Sequence, residues 1–167
     1  MFIRTKRLFL RPAWQDDLAA LHRALSDPQY ARDLSGTPWL ETMADPETYL
    51  SAARGPHDAN LLIFKRTDGA PRLLGAVGFA AWTAAPEFGI WLMPEARRHG
   101  FAIEAATAAL SIAFDGLRLP ELVATAVASG HPAARLLCRL GFRKQDRSSL
   151  FASLARENWS CRLAEAA

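Results

Sequence analysis

The amino-acid sequence predicts an α/β (α+β) fold in which a mixed β-sheet is flanked by helices. Short apolar runs typical of strands alternate along the chain with longer runs that have helical periodicity. Their predicted order is strand, two helices, three strands, helix, strand, helix and terminal strands. Repeats, linkers and low-complexity segments are absent from the sequence, so we expect residues 1–167 to form a single domain.

The beginning of the chain predicts a strand and two helices. Phe2 to Arg11 alternates between apolar and polar residues, as a half-buried strand does, and Pro12 ends it. The segment Gln15-Asp16-Asp17 supplies acidic residues for the first turn of a helix that ends at Asp27-Pro28. Its predicted apolar face consists of Leu18, Leu21, His22 and Leu25. Gly36-Thr37-Pro38 predicts a loop, and Asp45 to Ala53 predicts a short second helix.

The middle of the chain predicts a hairpin, a third strand and a helix. Asn60 to Lys65 and Arg72 to Trp82 are apolar runs separated by a turn containing Asp68-Gly69, which favours a β-hairpin. Glu87 to Leu92 is the next predicted strand. Ala102 to Phe114 is rich in alanine, a strong helix former that permits close packing on a sheet.

The end of the chain predicts a strand, a helix and two further strands. Leu122 to Val127 is a β-like run. Pro132 to Leu140 predicts a helix, with the proline in the first turn and Gly141 as the C-terminal stop. The terminal strands are expected around Leu150 to Leu154 and around Trp159 to Leu163.

Composition argues against several classes of partner. The net charge is +3 and the basic residues are scattered, so we expect no direct binding to nucleic acid. The sequence has neither an apolar run of about 18 residues nor a signal-peptide pattern, so neither a membrane nor export is expected. Cys138 and Cys161 form no metal or redox spacing, and Cys138 is predicted to be a buried free thiol. These features favour a cytoplasmic protein without a metal.

The most informative segment is Arg97-Arg98-His99-Gly100-Phe101-Ala102, between a predicted strand and a predicted helix. The first turn of a helix has unpaired N–H groups and about half a positive charge, which suits a bound anion. Gly100 and Ala102 keep side chains out of the way of a phosphate. On these residues alone, a solvated basic turn is an equally good interpretation.

The surrounding register resembles the acetyl-CoA-binding segment of the GNAT N-acetyltransferases. Their shared pattern is Arg or Gln, two variable residues, Gly, one variable residue, then Gly or Ala. The preceding segment is similar to the corresponding segment of the branch that contains the bacterial ribosomal-protein N-terminal acetyltransferases. It reads Glu87-Phe88-Gly89-Ile90-Trp91-Leu92-Met93-Pro94-Glu95. The resemblance extends to Thr5-Lys6-Arg7-Leu8-Phe9-Leu10-Arg11-Pro12, to Leu25-Ser26-Asp27-Pro28 and to Leu140-Gly141-Phe142.

This resemblance implies a fold and a cosubstrate. The GNAT fold has a central, mixed, mostly antiparallel twisted sheet, with a splayed pair of parallel strands that binds acetyl-CoA. The diphosphate would bind at Arg97, Arg98, His99, Gly100, Phe101 and Ala102, largely through backbone N–H groups. The pantetheine arm would lie along the preceding strand and pair with Trp91, Leu92 and Met93. Pro94, which has no N–H, suits the point where this pairing stops.

The resemblance also implies that Glu87 is the catalytic base, although a solvated carboxylate at a strand end would give the same pattern. Asp45, Glu41 and Glu47 are other acids that could reach an acceptor cleft, while His57 and His131 are better explained as loop histidines. The tryptophans Trp39, Trp82, Trp91 and Trp159, with Phe64 and Phe79, could shape a cleft but are expected mainly in the core.

One departure from the family pattern concerns the proton donor for the leaving thiolate. Relatives commonly have Asn, two residues and Ser before the last helix, whereas this chain has Gly130-His131-Pro132-Ala133. The only tyrosines, Tyr30 and Tyr49, lie far upstream. A thiol with a pKa near 8.5 leaves as thiolate at pH 7 for roughly 2 kcal/mol, so we predict catalysis without a protein donor. His131 is the alternative donor.

The predicted function is acetyl transfer to a primary amine by direct attack, without a covalent enzyme intermediate. A peptide α-amine with a pKa near 7.8 becomes neutral at pH 7 for about 1 kcal/mol, against roughly 4.6 kcal/mol for a lysine amine. One base and no acid therefore favour an α-amine, such as a protein N-terminus. The alternatives are a small-molecule amine acetyltransferase and a catalytically silent acyl-CoA-binding protein. Either a monomer or a homodimer is compatible with the sequence.

Overall fold

The computed structural model is organised around one mixed β-sheet. It describes residues 1–26, 45–51, 55, 58–80, 85–127, 132–145 and 156–162. Within these ranges the sheet has eight strands in the order β1-β2-β3-β4-β5-β6-β8-β7. The strands are β1 (Ile3–Arg4), β2 (Leu8–Arg11), β3 (Ala59–Lys65), β4 (Arg72–Ala80), β5 (Glu87–Leu92), β6 (Glu121–Val127), β7 (Arg143–Gln145) and β8 (Arg156–Arg162). Neighbouring strands are antiparallel, except for the parallel pair β5 and β6.

The helices lie on both faces of this sheet. The described helices are α1 (Leu18–Leu25), α2 (Pro46–Ser51), α3 (Phe101–Ser111) and α4 (Pro132–Arg139). A 3-10 turn at Gln15–Asp17 leads into α1, a second one at Pro94–Ala96 follows β5, and a π-helical turn at Ile112–Gly116 extends α3.

Two apolar clusters form the core, one on each face of the sheet. On one face α3 and α4 pack through residues such as Ala105 and Leu137 against Phe79, Phe88 and other sheet residues. On the opposite face α1 and α2 pack against β3, β4 and β5; this cluster contains Leu21, Ala24, Tyr49, Leu62, Phe64, Leu73, Ala76 and Trp91. We call the second side the α1–α2 face.

The fold confirms the predicted elements where local pattern is strong. The strand predicted at Glu87–Leu92 has these bounds, and Asp68-Gly69 lies in the turn of the β3–β4 hairpin. The left-handed Gly141, at φ 88°, follows α4 as predicted for a C-terminal stop. The buried Phe64, Phe79 and Trp91 belong to the core, as expected for strand aromatics.

Three predictions were wrong. The strand predicted over Phe2–Arg11 is the hairpin β1–β2, whose turn is closed by Thr5: its N–H donates to the Leu8 carbonyl and its hydroxyl accepts from the Leu8 N–H, each at 3.0 Å. Cys138 is exposed, because the buried positions of α4 are Ala134 and Leu137. His22 is exposed and pairs with Glu47 of α2 instead of joining the apolar face of α1.

The short polar strand β7 carried no apolar signal and was missed. The loop predicted at Gly36-Thr37-Pro38, the helix stop at Asp27-Pro28 and the strand predicted around Leu150 to Leu154 lie outside the described residues.

Candidate active site

The parallel strands β5 and β6 form a fork. They pair at a single position, Glu87 with Val123, where the Val123 N–H donates to the Pro86 carbonyl at 3.0 Å. Beyond this pair, no strand in the described ranges occupies the edge of β5 that faces β6. An unpaired edge of this kind is a template for an extended ligand that can form strand-like hydrogen bonds.

Along β5 the N–H and C=O of one residue point to the same edge of the strand, and those of the next residue point to the opposite edge. The Pro86 carbonyl points to β6, whereas the Met93 N–H donates to the Leu74 carbonyl next to β4 at 2.8 Å. Because the β4–β5 register is regular, the backbone N–H and C=O of Ile90 and Leu92 face the open edge. The backbone N–H and C=O of Trp91 and Met93 face β4. Of the three residues predicted to pair with pantetheine, Leu92 faces the open edge. Ile90, which was not singled out from the sequence, faces it as well.

Gly75 allows β4 to approach the end of β5 closely. A Cβ at Gly75 would lie 2.1 Å from the Trp91 carbonyl oxygen. The register of β4 against β3 also shifts here, since Ile63 pairs with Gly75 while the adjacent Phe64 pairs with Leu73. A glycine inside an apolar run is the sequence signal for such a bulge, and it went unused.

Arg97 marks the end of the open edge. After β5 the chain forms the 3-10 turn Pro94–Ala96, and the Arg97 N–H donates to the Pro94 carbonyl at 3.2 Å. The Arg97 Nε donates to the Leu92 carbonyl at 3.0 Å. The guanidinium is therefore hydrogen-bonded to the last residue of β5, on the edge that faces β6.

The basic turn, residues Arg97 to Ala102, leads directly into α3. Arg98 and Gly100 have positive φ angles of 65° and 77°, and Gly100 is the N-cap. The Glu104 N–H donates back to the Gly100 carbonyl at 3.3 Å, which is the first hydrogen bond of the helix. The N–H groups before Glu104 in the first turn therefore have no acceptor within the helix. Those N–H groups and the helix dipole favour an anion at this end.

Side chains and backbone have different roles in this turn. Arg98 and His99 are exposed, and the His99 ring stacks on Phe101 with centroids 5.8 Å apart. The Phe101 side chain is buried in the core cluster under α3. Phe101 can therefore reach a ligand at this turn only through its backbone, while the two arginines supply the positive charge.

A network from the β1–β2 hairpin supports the basic turn, although nothing in the local sequence indicates it. Glu104 Oε1 accepts from the Thr5 hydroxyl at 2.5 Å and from the Arg7 N–H at 2.8 Å. Its Oε2 accepts from Arg7 Nε at 2.7 Å, and Arg7 Nη1 donates to the His99 carbonyl at 2.9 Å. Burial pushes the pKa of Glu104 upward, but the hydrogen bonds from Thr5 and Arg7 outweigh it and hold the pKa below its ordinary value.

Glu87 lies at the narrow end of the fork. Its side chain shares the α1–α2 face with Trp91, since alternate residues of a strand point to the same side. The residue is only 5 % exposed, and its cross-strand neighbour on β4 is the small residue Ala80. A buried carboxylate where two strands diverge is suited to proton transfer at the end of an extended ligand.

On the α1–α2 face beside Glu87, paired glycines leave part of the sheet without side chains, and a hydrogen-bonded pair of polar side chains lies on the same face. Gly78 of β4 and Gly89 of β5 pair directly, and Gly78 also pairs with Asn60 of β3. The fully buried Tyr49 donates from its hydroxyl to Asn60 Oδ1 at 2.9 Å. Tyr49, far from the fork in sequence, therefore belongs to the same face of the sheet as Glu87.

Other acids near this face have partners of their own. Asp17 accepts two hydrogen bonds from Arg11, at 2.6 and 2.8 Å. Burial raises its pKa, but the Arg11 contacts and a backbone hydrogen bond from Trp14 outweigh that effect and lower it overall. Glu47 pairs with His22 at 2.8 Å, and Asp45 accepts from the Thr48 N–H at 2.8 Å.

Of the remaining candidate residues, one lies within the described ranges and four do not. Ala133 lies in the first turn of α4 and is partly buried. Glu41, His57, Gly130 and His131 lie outside the described residues. In the part of the chain that the structure describes, His, Cys, Asp and Glu form no cluster able to hold a metal ion. No helix in those same ranges is long and apolar enough to cross a membrane.

Comparison with known proteins gives a consistent result. The family model of the acetyltransferase (GNAT) domain matches residues 7–143. The uncharacterized N-acetyltransferase YoaA of Bacillus subtilis is 27 % identical over 151 residues, which cover 86 % of this chain and 83 % of that protein.

Two solved structures show the same fold. The ribosomal-protein-S5-alanine acetyltransferase from Vibrio fischeri has a TM-score of 0.78 at 13 % identity, covering 99 % of this chain and 98 % of that one. A spermidine N-acetyltransferase chimera from Vibrio cholerae and hSSAT has a TM-score of 0.70 at 18 % identity, covering 94 % of this chain and 96 % of that one.

Proposed function

Because the chain belongs to the GNAT acetyltransferase family, we propose that its acceptor is an N-terminal α-amine of a protein or peptide. N-acetyltransferase is the activity of the family, and acetyl-CoA is its cosubstrate. The proposal concerns which amine receives the acetyl group and which residues act on it.

The observation that carries the proposed placement of the cosubstrate and of the base is the open edge of β5, which begins beside Glu87 and ends at the basic turn. The strand spans roughly 16 Å between Glu87 and Leu92, at about 3.3 Å per residue. An extended, amide-containing pantetheine arm would pair with Ile90 and Leu92. Its diphosphate would then lie at the basic turn, and its thioester would lie towards Glu87.

Glu87 would act as the general base. The carboxylate accepts a proton from the acceptor amine, directly or through one water, as the amine nitrogen attacks the thioester carbonyl carbon. The C–N bond forms, the C–S bond breaks and the thiolate leaves. A proton from solvent would neutralise the thiolate, in keeping with the predicted lack of a protein donor.

The choice of acceptor rests on charge and on proton affinity. A polyamine would need several available carboxylates, whereas on the described part of the α1–α2 side Asp17 is engaged by Arg11 and Glu47 by His22. A single base suffices for an α-amine, whose neutral form is within about 1 kcal/mol at pH 7. The structural likeness to an enzyme named as a ribosomal-protein-S5-alanine acetyltransferase supports a protein acceptor. The spermidine enzyme makes polyamines the second candidate.

The test is CoA release with three acceptors at pH 7. They are a peptide with a free N-terminal alanine, the same peptide with a blocked N-terminus and one internal lysine, and spermidine. We expect kcat/KM for the free α-amine to exceed both others by about tenfold or more, given the difference in amine pKa. Mass spectrometry should place the acetyl group on the N-terminus. A preference for spermidine or lysine would contradict the proposed acceptor, and release with none of them would contradict catalysis on these amine classes.

A further inference from the structure

We propose that Arg7 is a positioning residue for acetyl-CoA, acting through the basic turn rather than by direct contact with the cosubstrate. This inference rests on the proposed placement of the diphosphate. Arg7 lies on the β1–β2 hairpin, 92 residues from His99 in sequence, yet it contacts the turn in two ways. It fixes one peptide group of the turn, and it pairs with the carboxylate in the first turn of α3.

The first contact fixes the peptide between His99 and Gly100. Arg7 Nη1 donates to the His99 carbonyl at 2.9 Å. In a trans peptide the C=O and the N–H point in opposite directions, so the Gly100 N–H is directed away from Arg7. That N–H is then available on the opposite side of the turn, together with those of the first helical turn.

This peptide needs such a restraint because Gly100 follows it. Glycine adopts positive and negative φ about equally readily, so the His99–Gly100 peptide can rotate at little cost. Rotation would point the His99 carbonyl, a hydrogen-bond acceptor, towards the diphosphate. The observed φ of 77° is the orientation that Arg7 holds. The ring of Phe101 lies under the guanidinium at 4.6 Å and limits its movement.

The second contact neutralises Glu104. This carboxylate lies in the first turn of α3, the turn where the diphosphate is proposed to bind. An anion there stabilises the helix dipole in the free protein but repels a second anion. Arg7 approaches Glu104 to 2.7 Å and supplies the compensating charge. Without Arg7, a ligand phosphate would meet an uncompensated negative charge.

The main test variant is Arg7→Met, with Arg66→Met as the matched control. Arg66 braces the same hairpin turn, donating from Nη1 to the carbonyls of Thr5 and Lys6 at 3.1 Å. Both variants remove one arginine charge near the β1–β2 hairpin turn, but of these two arginines only Arg7 contacts His99 and Glu104. Arg7→Lys is a milder variant, since its ammonium keeps the charge but lacks the planar fork needed for both contacts.

The ligands are CoA and 3′-dephospho-CoA, which both carry the diphosphate, and acetyl-pantetheine, which does not. For Arg7→Met we expect the Kd of CoA and of dephospho-CoA to rise by about tenfold or more, as loss of charge-assisted hydrogen bonds implies. The kcat at saturating acetyl-CoA should change little, and so should kcat/KM with acetyl-pantetheine. Arg66→Met should remain near wild type, and Arg7→Lys should be intermediate.

A double variant, Arg7→Met with Glu104→Gln, should recover part of the lost affinity because the uncompensated carboxylate is gone. Three results would overturn the inference: an equal loss in Arg66→Met, a loss confined to CoA, which indicates direct contact with the 3′-phosphate, or an equal loss with acetyl-pantetheine. A wild-type enzyme that uses acetyl-pantetheine as efficiently as acetyl-CoA would instead contradict the proposed diphosphate site itself.

Discussion

The two ends of β5 differ in exposure, in charge and in the kind of group they offer. At the amino-terminal end a nearly buried carboxylate, Glu87, lies where β5 pairs with β6. At the carboxyl-terminal end the chain enters an exposed turn with two arginines and two left-handed residues. In the proposed site, one side chain acts at the first end, whereas peptide N–H groups act at the second.

This difference implies that substitutions at the two ends should affect different kinetic quantities. A change to the Glu87 side chain should lower kcat and leave the affinity for the cosubstrate intact. A change to the backbone conformation of the basic turn should lower affinity and leave the rate at saturation nearly unchanged. A substitution that lowers both quantities equally at both ends would break the comparison.

The largest effect is expected for Glu87→Gln, which keeps the shape of the side chain and removes the base. We predict a loss of about 10²-fold or more in kcat, typical of a missing general base, with an unchanged Kd for acetyl-CoA. The loss should shrink as pH rises, because the amine then deprotonates by itself. Steady-state rates between pH 6 and pH 9 measure this.

The matched control is Glu95→Gln, since Glu95 lies just beyond the same strand and pairs with Arg72 on the surface at 3.2 Å. It should keep wild-type kcat. A Glu87→Gln loss that is the same at every pH would indicate that Glu87 positions the acceptor instead of taking its proton.

The next effect is expected for Gly100→Ala, compared with Gly141→Ala. Both glycines have left-handed φ angles, 77° and 88°, so each alanine should destabilise the fold by about 1–2 kcal/mol. A Cβ at Gly100 would lie 3.4 Å from Arg7 Nη2, so conformation matters more than a clash. We predict that Gly100→Ala raises the Kd for CoA about tenfold by favouring a rotated peptide, whereas Gly141→Ala leaves it unchanged.

Calorimetric titration with CoA and thermal unfolding measure both effects. The turn would not act through its backbone if the two variants had the same affinity at the same stability.

A smaller effect concerns the stability of the turn in acid. The pKa of Glu104 lies below its ordinary value near 4.5, so its ion pair stabilises the fold above that value. The stabilisation is lost as pH falls through the lowered pKa. Glu104→Gln should therefore flatten the decline of the unfolding free energy below about pH 4.5, by on the order of 1 kcal/mol. Glu95→Gln, in an exposed pair, should change the free energy of unfolding little at neutral pH.

The smallest effect is expected at the thiolate. Ala133, in the first turn of α4, is the position at which the family resemblance implies a serine. Because thiolate departure is only about 2 kcal/mol uphill at pH 7, Ala133→Ser should change kcat by at most a few-fold. His131→Ala provides the counter-test: loss of most turnover together with the alkaline limb of the pH–rate profile would identify a protein donor and refute the prediction.

Local sequence pattern was sufficient for β5 and for the turn after it, because alternation, a basic run and a glycine are all visible within 16 residues, from Glu87 to Ala102. The contact of Arg7 with Glu104 joins residues 97 positions apart, and neither residue carries a local signal for the other. The orientation of the β5 peptide groups also depends on which strands lie on each side. Sequence alone therefore predicted pantetheine pairing for Trp91, Leu92 and Met93 together. The sheet register shows that only Leu92 of these three has its N–H and C=O directed to the open edge.

The central claim is that the open edge of β5 binds the pantetheine arm, and amide hydrogen exchange tests it most directly. In the free protein the N–H groups of Ile90 and Leu92 face that edge, whereas the Met93 N–H already donates to Leu74. Saturating CoA should slow exchange at Ile90 and Leu92 by about tenfold or more, while Trp91 and Met93 change little. Equal protection at all four residues, or no change at Ile90 and Leu92 when CoA is bound, would contradict the account.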